Sequence, residues 1–112
     1  MTRTAVVLGA VLASVVACGA ATTPEPRQAD VVRIADQFPG TTLAELEKGR
    51  SLYLSRCSSC HAPVSPASVP AERWPHEVEE MSERARLGSD EPLVVKYLVA
   101  QALRSESSVQ EK

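Results

Sequence analysis

Apolar and polar positions fall into blocks along this chain, and the blocks predict helices but no strand. An uncharged apolar run extends from Ala5 to Ala17, followed by small, polar and proline residues from Gly19 to Pro26. Val31-Val32-Arg33-Ile34 forms a short apolar patch, and Pro39-Gly40 marks a turn. Leu43, Leu46, Gly49 and Tyr53 then recur near helical spacing behind a Thr42/Glu45 capping box, which predicts a helix to about Arg56. Pro63, Pro66 and Pro70 oppose regular structure, so residues 62–72 read as a loop that must wrap something. Trp74, Val78, Met81 and Ala85 lie on one stripe of a second helix, with Pro75 in its first turn and Gly88 as its stop after about Leu87. Ser89 or Asp90 is the expected cap of a third helix, from Glu91 to about Arg104, with Leu93, Val94, Tyr97 and Leu98 facing inward. The polar tail 105–112 is expected to fray. With no strand pattern, phosphate loop or repeat, the expected class is all-α.

The apolar run is 13 residues long, short of the roughly 20 that a spanning helix needs, and Arg3 precedes it. Residues 1–17 therefore read as a signal peptide. Val15-Val16-Ala17-Cys18 resembles the lipobox of bacterial lipoproteins, which implies a diacylated Cys18 at the new N-terminus. The alternative is a buried or free cysteine in an ordinary signal peptide. More than one acyl chain suffices for stable anchoring, so the resemblance implies an exported protein held on the periplasmic side of a bacterial membrane. The expected organisation is a signal peptide (1–17), a lipidated N-terminus and linker (18–40), a domain (41–104) and a flexible tail (105–112).

Composition sharpens this outline. A domain of roughly 70 residues buries only about 60% of its unfolded surface, so a disulfide, metal or cofactor is expected to reinforce it. Phe38, Tyr53, Trp74 and Tyr97 are the only aromatic residues, leaving apolar mass for a large cofactor to supply. A net charge of −2 with interspersed signs speaks against a nucleic-acid partner.

Cys57-Ser58-Ser59-Cys60-His61 has the form C-x-x-C-H, the attachment pattern for c-type haem. Two thiols within one turn match the two vinyl groups of the porphyrin, and the adjacent imidazole reaches the iron as proximal ligand. A thioredoxin-like redox pair would call for a strand and a parallel sheet, of which the sequence has no sign. A structural zinc site would need four ligands, and beyond Cys57, Cys60 and His61 only His76 remains. A Cys57–Cys60 disulfide would close too short a loop to stabilise much. With Cys18 lipidated, the haem reading uses all three cysteines.

Around this motif, roughly Thr41 to Arg104, the chain resembles the class I cytochrome c family in its minimal monohaem bacterial form. Gly49 and Tyr53 precede Cys57 by eight and four residues, matching that family's glycine and aromatic on the N-terminal helix. Tyr97 matches its aromatic where the terminal helices cross, with the glycine permitting close approach. The resemblance implies about three helices around one covalently attached haem c.

Its electron-carrying members usually add a methionine sulfur as the second axial ligand, here Met81. Met81 follows His61 by only 20 residues, a shorter interval than in larger members, although Trp74 to Met81 is similar to the pattern in very small bacterial cytochromes. His76 is the competitor. At about 100° per residue Met81 lies within about 20° of Trp74, whereas His76 is some 200° away on a polar face. Trp74 reads first as a core residue, with an indole N–H able to bond a haem propionate, and Arg56 and Arg73 read first as solvated surface arginines and second as propionate partners. The resulting expectation is a non-enzymatic electron carrier between redox-protein donor and acceptor, either a monomer or a subunit of a redox complex. The alternatives are a gas-binding or sensing haem protein with an open distal site, and the cytochrome subunit of a dehydrogenase or reductase.

Overall fold

The computed structural model describes residues 23–59 and 62–111, and Cys18, Cys60 and His61 lie outside the described residues. Four helices carry the fold: α1 (Gln28–Arg33), α2 (Leu43–Arg56), α3 (Trp74–Ser82) and α4 (Glu91–Gln110). Short 3-10 turns at Cys57–Ser59, Pro66–Ser68, Ala71–Arg73 and Gly88–Asp90 join them, and no strand occurs among the described residues.

The start of α2 follows directly from its sequence. Thr42 is extended and accepts from the Glu45 backbone N–H at 3.2 Å, while the Glu45 carboxylate accepts from the Thr42 N–H at 2.8 Å. Two of the orphan donors of the first turn are thereby satisfied. Leu46, Gly49, Leu52 and Tyr53 form its buried face and meet Val94, Tyr97, Leu98 and neighbouring residues of α4. Lys96 Nζ reaches Glu45 Oε1 at 3.3 Å beside this contact.

Helix α3 ends earlier than its apolar stripe predicts. Arg86 donates its N–H to the Glu83 carbonyl at 3.1 Å, and Leu87 donates to Ser82 at 3.0 Å. With Arg86 at φ +53°, these bonds form a Schellman stop. The left-handed position falls on an arginine, and Gly88 (φ +51°) opens the next 3-10 turn. Tertiary contacts hold this placement: Leu87 is buried, and Arg56 Nη1 donates to the Arg86 carbonyl. Asp90 does not cap α4 with its side chain. Its own backbone is already helical, because the Gly88–Asp90 turn runs straight into α4.

Both ends of the described residues differ from the expected linker and tail. Residues 23–40 pack on the helices: Thr23, Asp30 and Ile34 are buried, and α1 lies against α4. At the other end α4 continues to Gln110, and Glu106 Oε1 accepts from the Ala71 N–H at 3.0 Å. The folded unit therefore extends beyond 41–104 in both directions. Among the described residues, no helix is long and apolar enough to cross a membrane.

Candidate functional site

Where the C-terminal end of α2, the proline loop and α3 meet, a cavity of about 180 Å³ is lined by Tyr53, Cys57, Val64, Val69, Trp74, Glu77 and Met81. Cys57 stands at the helix end, where its N–H still bonds the Tyr53 carbonyl. Burial pushes its thiol above the ordinary cysteine value. Met81 approaches from α3, one turn beyond the buried Val78 and on the same side as Trp74.

An aromatic row backs the cavity. The Tyr53 ring lies edge-on to Trp74, with centroids 6.4 Å apart at 78°, and is tilted against Tyr97 at 6.3 Å. Such edge contacts favour a fixed ring geometry. The polar ends of these rings position backbone. Tyr53 Oη donates to the Val64 carbonyl, and Trp74 Nε1 donates to the Pro66 carbonyl at 3.0 Å. The indole N–H considered as a propionate donor is thus committed to the loop, and Trp74 is only 2% exposed. Burial pushes the Tyr53 phenol up to about 12, with the neighbouring Cys57 a smaller contributor.

His76 points elsewhere. Its side chain is 67% exposed and its Nε2 lies 3.3 Å from Glu80 Oε1, one turn along the outer face of α3. Arg73 pairs with Glu77 Oε1 at 2.7 Å, and Arg56 reaches the Arg86 carbonyl. The structure thus brings Cys57, Trp74 and Met81 to one cavity and leaves His76 out of it. Cys60, His61 and Cys18 lie outside the described residues.

Val64, Val69 and Glu77 line the cavity without having been singled out in the sequence. The two valines are apolar residues between prolines, a pattern that signals wrapping but not the object wrapped. Glu77 sits between the apolar stripe and the polar face of α3, where helical periodicity alone is ambiguous.

The cavity suits a haem in chemistry. It offers a thiol and a thioether, aromatic and aliphatic walls, and one carboxylate at the edge. In volume it is below the roughly 300–1,000 Å³ typical of small-molecule sites, so these walls would enclose only part of a macrocycle. Comparison with protein-family models, curated proteins and solved structures finds no match.

Proposed function

We propose that this chain is a membrane-tethered periplasmic electron-transfer protein carrying one haem c on Cys57, Cys60 and His61, with Met81 as the second axial ligand. The observation that carries this reading is the shared cavity: Cys57 from the end of α2 and Met81 from α3 line the same recess.

When bound, the haem supplies a one-electron couple. The chain's own residues then have separate tasks. Cys57 and Cys60 would hold the group through thioethers. His61 and Met81 supply a nitrogen and a soft sulfur, and the sulfur favours a higher potential. Tyr53, Trp74, Val64 and Val69 exclude water from one side, which limits solvent reorganisation. With His61 and Met81 both holding the iron, no position would remain for a substrate, so the chain would act as a carrier rather than an enzyme. Encounters with donor and acceptor are expected to be weak and small in area.

Two further observations favour haem over the other uses of the cysteine pair. A catalytic redox thiol needs a lowered pKa, whereas burial raises that of Cys57. A zinc site drawing on His76 would have to take that side chain from the outer face of α3.

Mass spectrometry of the exported protein tests the proposal. The expected mass includes one haem and a diacylated Cys18, while an apo mass with free Cys57 and Cys60 would overturn it. The oxidised holoprotein should also show the long-wavelength sulfur-to-iron absorbance band. Rapid carbon monoxide binding by the reduced, unmutated protein would favour the open-site haem protein instead.

A further inference from the structure

The segment that follows the proposed lipid anchor is clamped to the domain. Three consecutive backbone carbonyls accept hydrogen bonds from three side chains: Thr23 from Arg50 Nε at 2.9 Å, Pro24 from Tyr97 Oη at 2.8 Å, and Glu25 from Arg104 Nη2 at 3.1 Å. The donors stand on α2 and α4, the two helices that form the main packing contact. Thr23 is 1% exposed, and the same segment continues into the buried Asp30 and Ile34. Residues 23–34 therefore form a strap across the helix pair.

The strap decides how far the domain can move from its anchor. Were residues 18–40 a free leash, the chain from Cys18 to Gly40 would reach roughly 75 Å at full extension. Clamping at Thr23 leaves five residue steps, about 18 Å at most. A domain of this size is about 30 Å across, so that slack is less than its own width. The strap also meets the cavity side of the molecule. Pro24 shares a second recess with Ser65, Pro66 and Ala67, and Pro66 is the residue whose carbonyl holds the Trp74 indole.

We infer that the domain rides against the bilayer surface, with its haem held close to the headgroup plane. The inference rests on the proposed lipidation of Cys18 and on the haem reading. Charge steering over a long radius has no part in it: the tether itself confines the encounter to a thin layer above the lipid.

The haem would quench a fluorophore in the bilayer, which gives a direct measurement. The full-length lipidated holoprotein is incorporated into phosphatidylethanolamine and phosphatidylglycerol vesicles containing a dansyl-labelled headgroup. It is compared with a variant carrying a 20-residue Gly/Ser insertion between Ala21 and Thr22, which leaves the strap and its three donors intact. The insertion adds roughly 25 Å of root-mean-square reach and should lower quenching per bound haem about twofold. Vesicle flotation and haem absorbance are read on the same samples. Equal quenching by both proteins, with capture and haem intact, would overturn the inference alone. Failure to float would overturn the anchor reading, and absence of haem would overturn the cytochrome reading, each taking the inference with it.

Discussion

Gly49 and Leu93 meet where α2 crosses α4, with no room between them for a side chain. A methyl group built on Gly49 would lie 2.9 Å from Tyr97 Cβ and closer still to the Leu93 carbonyl oxygen. Both obstacles are held rigidly: one is backbone, and the other belongs to a side chain buried to 0% exposure. Glycine's conformational cost within a helix is offset here by close packing of the two axes.

Gly49→Ala should therefore destabilise the protein, although alanine is the better helix former. Overpacking of this kind costs about 1–3 kcal/mol, against less than about 1 kcal/mol gained in propensity. Urea unfolding of holoprotein should show the lower midpoint, and an unchanged or higher midpoint would refute the tight crossing.

Arg86→Gly should act in the opposite direction. Arginine at φ +53° bears a left-handed penalty of about 1–2 kcal/mol that glycine avoids. The bond from Arg56 ends on the Arg86 backbone carbonyl and is independent of the side chain substituted. A net gain of about 1 kcal/mol is expected from thermal or urea unfolding, the remainder offset by added unfolded-state entropy.

Asp30 confers an acid-dependent stability. It is fully buried and accepts from the Arg27 N–H at 2.7 Å, Arg104 Nε at 3.0 Å and Gln101 Nε2 at 3.4 Å, with Arg33 Nη1 and Arg104 Nη2 in addition. Burial alone would raise its pKa, but Arg104 and the Arg27 and Gln101 hydrogen bonds outweigh burial and hold the carboxyl below its ordinary range. The stabilisation is complete above the unfolded-state pKa and is lost as pH falls through the lower folded value. Unfolding midpoints measured from about pH 5 down to pH 2 should fall more steeply for the native chain than for Asp30→Asn. Arg104→Met, which leaves the buried carboxylate with fewer partners, should cost about 2–3 kcal/mol at neutral pH.

Met81→His should preserve two axial ligands while exchanging the soft sulfur for an imidazole. The potential is expected to fall by on the order of 0.1 V in a redox titration, with loss of the sulfur-to-iron band. His76→Ala should leave both unchanged, because that side chain stays on the outer face of α3. A spectral change on His76→Ala with none on Met81→His would reverse the ligand assignment.

Much of the frame was legible from local chemistry. The Thr42/Glu45 box sets the start of α2 by contacts three residues apart, and the Trp74–Val78–Met81 stripe records which side of α3 turns inward. Gly49 and Tyr97 were readable as a helix crossing only through the family resemblance, and the contact of Gly49 with Leu93 and Tyr97 supplies the packing reason. The C-x-x-C-H spacing carries the proposed cofactor chemistry in five adjacent residues.

What the tertiary structure alone decided depends on residues far apart in the chain. The strap reads as linker because its six-residue helix is too short for a periodic signal, and its partners Tyr97, Gln101 and Arg104 lie more than seventy positions away. The Schellman stop fell on Arg86 because Leu87 was drawn into the core and Arg56 held the carbonyl before it. The polar tail became helix because α4 was already nucleated, and Glu106 found the Ala71 N–H on the loop. Local sequence thus determined where α2, α3 and α4 begin and which faces they bury. Long-range hydrogen bonds and burial determined where the folded unit begins and how closely its N-terminal segment is held.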